Sequence, residues 1–173
     1  MKNPFLKTML VATTMLVAAG AAHAQGVLNV GNGGEPGSLD PHQISGTWES
    51  SIARDQFLSL YTEAADGSII PGAAESHTVS DDGLVYTFDL VPGAVFHDGS
   101  PLDAAAVKYS FDRLTRIGRG VSWMVDGVIG PDSVEVVDDT TVRITLLQPF
   151  APIMQVLPWV FIVNPRIVEA NLG

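Results

Sequence analysis

Alternating hydrophobic and polar positions predict two β-hairpins in the middle of the chain. Every second residue of the segment 84–90 is apolar, which is the period of a strand with one buried face. An Asp-Asp-Gly turn joins this segment to a partner strand at residues 76–80. The same pattern predicts a second hairpin from strands at residues 134–137 and 142–147, which also turns on a pair of aspartates. We interpret both acid pairs as turn residues and not as catalytic carboxylates, because adjacent side chains on a hairpin point apart.

A helical period predicts a helix before the first hairpin. Apolar positions recur on one face at Trp48, Ile52, Phe57 and Tyr61, and Thr47 can cap the start of this helix. The predicted helix stops before Asp66-Gly67. A loop rich in glycine and proline at residues 31–41 precedes it, and a strand is predicted at residues 27–31.

A second helix is predicted between the hairpins, with Asp103 as its N-cap and its end near Gly118. After Pro149 the pattern predicts a short apolar helix, a buried strand at residues 159–163, and a last helix that begins at Asn164-Pro165. The buried side of the second helix is predicted to carry Ala104, Val107, Phe111 and Leu114.

The first 24 residues have the three-part pattern of a cleaved signal peptide. Lys2 and Lys7 are followed by an uncharged apolar run at residues 8–22 and by the cleavage pattern Ala22-His23-Ala24. The run is too short and too rich in threonine to favour a membrane span. We therefore expect export to a periplasm.

Composition excludes several classes of protein. The 173 residues include 46% hydrophobic residues and no Cys, so we expect a folded chain without disulfides, thiolate metal sites or a lipidated cysteine. Removal of the two signal-peptide lysines takes the formal charge from −10 to −12. Such a charge, with no cluster of basic residues, argues against nucleic acid and against an anionic membrane surface as partners.

Motifs for catalysis or cofactor binding are weak. The glycine-rich run at residues 31–34 lacks the third glycine of a dinucleotide loop, and the common phosphate-loop, hydrolase and metalloprotease motifs are absent. His42, His77 and His97 are widely spaced, which favours hydrogen-bonding histidines in turns and loops over a metal site assisted by Asp98. We therefore expect neither a cofactor nor a bound metal.

Each of the three tryptophans could pack in the core or form the wall of an apolar pocket. Core packing is favoured for Trp48 and Trp159. Trp123 differs because it lies in an irregular stretch between Gly120 and Gly130, where an aromatic side chain can face a ligand.

A series of six motifs covers nearly all of the chain after the signal peptide. The motifs are Ser38-Leu39-Asp40-Pro41-His42, Ile70-Pro71-Gly72-Ala73-Ala74-Glu75, Ser80-Asp81-Asp82-Gly83, Phe96-His97-Asp98-Gly99, Val107-Lys108-Tyr109-Ser110-Phe111-Asp112-Arg113-Leu114 and the hairpin at residues 136–147. In their order along the chain they resemble bacterial periplasmic oligopeptide-binding proteins of extracellular solute-binding protein family 5. Departures from the family pattern are Val91, where a basic residue is usual, and Ala106, where an acid is usual; we assign both positions to the scaffold.

The resemblance implies a mixed α/β, two-lobed clamshell receptor that captures short peptides and delivers them to an inner-membrane ABC permease. The chain would hold the start of lobe I (residues 25–57), a small extra α+β domain (58–157) and a truncated return into lobe I (158–173). The full-length receptor would be a monomer. Without the rest of lobe I, we expect apolar surface around residues 159–163 to be exposed.

The resemblance also implies the ligand site. Ser45, Gly46 and Thr47, just before the first helix, would offer backbone groups to a peptide, and Trp123 would form an aromatic wall. Two alternatives remain open at this point: a relative that binds a metal chelate, haem or another small solute, and an exported hydrolase.

Overall fold

The computed structural model describes residues 30, 31 and 33–171 of the chain. The predicted signal peptide and most of the predicted strand at residues 27–31 lie outside the described residues. The elements are, in chain order, α1 (Thr47–Gln56), β1 (Tyr61–Glu63), β2 (Ile69–Pro71), β3 (Ala74–Val79), β4 (Val85–Leu90), α2 (Ala104–Ile117), β5 (Val134–Asp138), β6 (Thr141–Thr145), α3 (Ile153–Val156) and α4 (Pro165–Ala170), with 3₁₀ helices at Gly120–Met124 and Leu157–Trp159.

Both predicted hairpins are confirmed, and they combine in one antiparallel sheet of order β3-β4-β6-β5. The two hairpins join along β4 and β6, where Phe88 pairs with Val142 and Tyr86 with Ile144. These four side chains are buried, so the alternation read from the sequence does separate a core face from an outer face. β1 and β2 form a separate two-stranded sheet.

Helix α2 covers the buried face of the sheet, mainly over β5 and β6. Its boundaries are those predicted: Asp103 accepts a hydrogen bond from the Ala106 amide at 2.9 Å, and Gly118 ends the helix in the left-handed conformation. Val107, Phe111 and Leu114 are fully buried in the main core.

Helix α1 differs from its prediction. It ends at Gln56, because the next residues pair with a distant segment: the Ile162 amide donates to the Leu58 carbonyl at 2.8 Å, and Ser59 forms a β-bridge with Phe161. The predicted buried face is also wrong, since Trp48 is 48% exposed and the buried residues are Ser50 and Ala53.

The segment at residues 159–163 is buried as predicted, but it forms only the isolated bridge from Phe161 and not a full strand. The expectation that apolar surface would be exposed here is wrong. Residues 160–163 are at most 3% exposed, and the Arg54 guanidinium covers the Trp159 ring at 4.4 Å from its centroid. Asn164 then caps α4, as the sequence predicts, through its side-chain oxygen.

A second, smaller apolar cluster lies beside the main core. Ile44, Ala53 and Phe161 form it, with Phe57 packed against them. This cluster packs α1 and the residues before it against residues 159–163, which we call the return segment.

Candidate ligand-binding site

Ser45, Gly46 and Thr47 lie together at the N-terminus of α1. Gly46, and not Thr47, is the N-cap residue, with φ −94° and ψ 157°. Ser45 and Thr47 are exposed and Gly46 is half-buried. The three predicted contact residues therefore form one accessible stretch of extended backbone that leads into a helix.

The Glu49 carboxylate organises this stretch from the first turn of α1. Its Oε2 accepts hydrogen bonds from the amides of Gly46 (3.0 Å) and Ser45 (3.1 Å), and its Oε1 accepts one from the Gly37 amide (2.6 Å). These bonds to Gly46, Gly37 and Ser45 lower the pKa of Glu49. One ionised side chain thus holds two separate loops against the helix.

The same bonds decide which backbone groups of the stretch are free to meet a ligand. The Gly46 carbonyl accepts from the amide of Ser50 (3.0 Å) and from its hydroxyl (2.8 Å). Both polar groups of the Gly46 backbone are thus engaged within the chain. Among residues 33–171, none donates a hydrogen bond to the Ser45 carbonyl. The Thr47 amide lies in the first helical turn, where no intrahelical acceptor exists. The accessible acceptor and donor are therefore the Ser45 carbonyl and the Thr47 amide.

A buried ionic network anchors the residues immediately before this stretch. Arg113, which is 6% exposed, donates to both oxygens of Asp40, at 2.9 and 2.7 Å. Its Nη1 also lies 2.9 Å from Nδ1 of His42, and Nε2 of His42 lies 2.9 Å from the Phe161 carbonyl oxygen. The network joins α2, the turn at residues 40–43 and the return segment.

Burial and the interactions with Arg113 oppose each other in their effect on the pKa of Asp40, but both lower the pKa of His42. Burial alone would raise the pKa of Asp40, but hydrogen bonds from Arg113, Gln43 and the His42 amide hold it well below its usual range. Burial lowers the pKa of His42, and the positive charge of Arg113 lowers it further. Asp40 is therefore ionised and His42 is neutral at pH 7.

Gly120 brings a second loop against the same anchored turn. It has φ +56°, and a Cβ at this position would lie 2.6 Å from the Ile44 carbonyl oxygen and 3.0 Å from that of His42. Only glycine permits this close backbone contact. The 3₁₀ helix that starts here carries Trp123, whose side chain is 70% exposed.

Trp123 and the Ser45–Thr47 stretch therefore extend from one backbone junction. No hydrogen bond within residues 33–171 links the two, and Trp123 instead borders a small polar cavity of about 250 Å³ that also contacts Ser122 and Asp126.

A larger apolar cavity of about 950 Å³ borders the anchored turn, which contributes Asp40, Pro41 and Gln43 to its lining. Asp40 and Arg113 of the ionic network form part of its wall. Its lining also includes Leu39, Phe57, Leu58, Val95, Ile162 and Ile167.

The turn at residues 97–101 carries polar side chains that hold it to the start of α4 at the edge of this cavity. Asp98 accepts hydrogen bonds from Ser100 and Asn164 and pairs with Arg166 at 2.8 Å. The hydrogen bonds from Ser100, with the charge of Arg166 and the Asn164 amide, lower the pKa of Asp98 to about 2. These contacts fix the N-terminus of α4 to the turn.

His77 and the two acid pairs have structural partners. His77 lies on β3, within the strand predicted at residues 76–80 and not in a turn or loop, and its Nδ1 is 2.7 Å from the Tyr61 hydroxyl. The acid pairs are confirmed as turn residues: Asp82 accepts from the Leu84 amide and Asp138 from the Thr140 amide. In the described part of the chain, no group of three or more potential ligand side chains is arranged to hold a metal ion. Within that part, no helix combines the length and apolar character that a membrane crossing requires.

A family model described as "Bacterial extracellular solute-binding proteins, family 5 Middle" matches residues 68–171. The chain belongs to this family. The resemblance read from the motifs is thereby confirmed.

Curated relatives and a solved structure agree with membership of family 5. The chain is similar to a glutathione-binding protein GsiB of Salmonella paratyphi A, with 35% identity over 76% of this chain and 26% of the relative. It is also similar to a probable D,D-dipeptide-binding periplasmic protein of Escherichia coli, with 34% identity over 98% of this chain and 33% of the relative. A periplasmic oligopeptide-binding protein from Borrelia burgdorferi superposes with a TM-score of 0.74 at 28% identity, covering 83% of this chain and 32% of that one.

The fold is therefore the periplasmic-binding-protein fold of family 5, as predicted. The chain spans about a quarter to a third of the length of these family 5 proteins.

Sequence reasoning missed Glu49, Arg113 and His42 as organisers of the site. Arg113 carried a signal, because it lies in the helical stripe that otherwise contains Leu114 and Phe111, where a charge requires a buried partner. Its partner Asp40 is 73 residues away, and local sequence patterns do not show such pairings.

Proposed function

We propose that this chain forms part of the periplasmic substrate-binding component of a peptide ABC importer. The observation that carries the proposal is the accessible backbone of residues 45–47 in a member of family 5. Glu49 binds this backbone directly, and the Arg113 network holds the turn that precedes it. The relatives' names, which specify glutathione and D,D-dipeptides, support small peptides as the ligand class.

Recognition is through the main chain of the ligand. The Ser45 carbonyl accepts a hydrogen bond from a peptide amide, and the Thr47 amide donates one to a peptide carbonyl, as in strand addition. This narrows the expectation from sequence, in which the three residues offer backbone N–H and C=O groups, because Glu49 occupies the amides of Ser45 and Gly46. Trp123 supplies an apolar wall for a ligand side chain, and its exposure supports this role.

The wider setting follows the family. The signal peptide at residues 1–24 directs the protein to the periplasm without lipidation, and an inner-membrane ABC permease receives the ligand. The protein acts as a monomeric receptor and does not turn over peptides. Names of relatives that denote binding proteins support this assignment over an exported hydrolase.

The proposed division into lobe I (residues 25–57 and 158–173) and a small domain (58–157) has partial support. The smaller apolar cluster joins Ile44, Ala53 and Phe57 to Phe161, all from the proposed lobe I. Val160 and Ile162, however, pack in the main core, so the return segment contacts both parts.

Calorimetry on the gene-encoded protein that contains this chain tests the ligand class. We expect trialanine, glutathione or D-Ala-D-Ala to bind without hydrolysis, and N-methylation of the peptide amides to weaken binding more than a change of side chains. If none of these peptides binds but the isolated protein carries haem or a metal chelate, detected by absorbance and metal analysis, the ligand class is wrong. Peptide turnover by the purified protein would contradict the receptor assignment.

The Gly46→Val variant tests whether residues 45–47, the contact stretch, bind the ligand. A β-branched side chain there obstructs an approaching ligand backbone, so we expect all bound peptides to weaken alike, by up to about tenfold for each lost hydrogen bond. An added Cβ at Gly46 would also lie 3.2 Å from Glu49, so a control must reproduce that contact.

Gly37→Val is the matched control, because its Cβ would lie 3.1 Å from the same Glu49 carboxylate but outside the contact stretch. We expect this control to bind peptides more tightly than Gly46→Val. Equal affinities for the two variants would remove Gly46 from the site.

A further inference from the structure

We infer that Arg113 is a positioning residue for ligand capture: by clamping Asp40 and His42, it fixes the backbone that leads into Ser45 and Thr47. The inference rests on the proposed function of that stretch and assigns a role to a side chain that lies outside it. Arg113 is on α2 and is 6% exposed, so it acts through the turn that it holds.

Both terminal nitrogens of the Arg113 guanidinium bind Asp40. Nη1 lies 2.9 Å from Asp40 Oδ1 and 2.9 Å from His42 Nδ1, while Nη2 lies 2.7 Å from Asp40 Oδ2. Both hydrogens of Nη1 therefore have acceptors. A lysine ammonium is a single point of charge and does not reproduce this planar arrangement.

The partners of His42 also fix its tautomer. A guanidinium only donates, so Nδ1 of His42 is the acceptor, and Nε2 carries the proton that it donates to the Phe161 carbonyl. The ring thus bridges α2 to the return segment as a neutral imidazole. The His42 amide adds a bond of 3.1 Å to Asp40, which closes the turn.

The clamped turn leads directly to the contact stretch. The carbonyls of His42 and Ile44 lie against Gly120, and the Ile44 side chain is buried with Ala53 and Phe161. Only Ser45 separates this immobilised backbone from the N-cap. A shift of the turn would therefore move the Ser45 carbonyl and also the loop that carries Trp123.

The test compares Arg113→Lys and Asp40→Asn with the parent, all in the gene-encoded protein that contains this chain. We expect both folded variants to bind trialanine, glutathione or D-Ala-D-Ala, whichever the parent binds, about tenfold or more weakly. Hydrogen exchange at the amides of residues 45–47 should accelerate. Nitrogen NMR should show the Nε2-protonated tautomer of His42 in the parent and its loss in Arg113→Lys.

Arg143→Lys is the matched control. Arg143 pairs with Glu135 at 2.8 Å on the half-exposed outer side of β5 and β6, so the same substitution there should leave affinity and exchange within about twofold of the parent.

The outcomes separate this inference from the proposed function. If Arg113→Lys folds and binds like the parent, with unchanged exchange at residues 45–47, the positioning role is wrong. If neither variant folds, Arg113 is needed for stability alone and the inference also fails. If the parent binds none of the three peptides, the proposed function fails, and the exchange rates alone then decide whether Arg113 positions the stretch.

Discussion

Asp40 shows how a single side chain can be both costly and necessary. Its carboxylate is partly removed from water, yet it receives hydrogen bonds from Arg113, Gln43 and the His42 amide. Burial of an ion pair is a weak source of net stability, whereas removal of one partner leaves the other charge buried and unpaired. Substitution should therefore be costly even where the pair itself contributes little.

We predict that Asp40→Asn lowers the free energy of unfolding at pH 7 by about 3 kcal/mol, the lower end expected for a broken buried pair because Asp40 retains some exposure. The pKa of Asp40 is depressed in the folded state, so its contribution is complete above the unfolded pKa of about 3.9 and is lost as pH falls toward the folded value. The difference between parent and variant should thus shrink below about pH 4.

Urea unfolding of the 173-residue chain from pH 7 to pH 3 measures this difference. Asp81→Asn, at an exposed turn position, is the control and should change stability by less than about 0.5 kcal/mol. A difference between the parent and Asp40→Asn that is small at pH 7, or that grows on acidification, would contradict the role given to the Arg113 pair.

At the scale of elements, two glycines near the end of α2 allow the cost of a left-handed backbone to be compared with the cost of a steric clash. Gly118 and Gly120 both have positive φ, at 61° and 56°. A Cβ on Gly118 would meet nothing closer than the Thr115 carbonyl at 4.0 Å, whereas one on Gly120 would lie 2.6 Å from the Ile44 carbonyl. The first site requires glycine for its conformation alone, and the second requires it for both reasons.

We predict that Gly118→Ala costs about 1–2 kcal/mol of unfolding free energy, the penalty for a left-handed alanine, and that Gly120→Ala costs clearly more. Thermal and urea unfolding of the two variants give the comparison. Equal losses would mean that Gly120 does not pack against the carbonyls of His42 and Ile44 as described.

The elements also show where sequence patterns are sufficient. The hairpins and α2 were predicted correctly because a period of two, a turn with paired aspartates and the Asp103 cap all act within a few residues. The end of α1 was not, since residues 58 and 59 leave the helical path to pair with residues 161 and 162. A local helical period continues through Tyr61, and only the distant partner overrides it.

The site was predictable to a similar extent. The position of Ser45, Gly46 and Thr47 before α1 follows from the helix start, and their role as ligand contacts remains a prediction. Their support by Glu49 is a local capping contact of three to four residues. The Arg113 network and the Gly120 junction join segments more than 70 residues apart, which a single sequence does not reveal.

At the scale of the whole molecule, exposed apolar side chains line the 950 Å³ cavity, whereas residues 160–163 are buried. Large apolar side chains on the cavity wall remain strongly exposed: Leu39, Leu58, Val95 and Ile167. An apolar concavity of this kind binds hydrophobic dyes and promotes self-association in a soluble chain.

We predict that the 173-residue chain binds the dye anilinonaphthalene sulfonate at this cavity and that Leu39→Ser reduces the fluorescence markedly, because Leu39 is a 64% exposed part of the apolar wall. Leu147→Ser is the matched control, since Leu147 is exposed to the same degree, 63%, but lies outside the cavity. Dye titration and light scattering on the parent and both variants measure binding and association. Equal effects of the two substitutions would show that the dye reports scattered surface leucines and not the cavity, and absence of dye binding by the parent would show that the cavity is closed in solution.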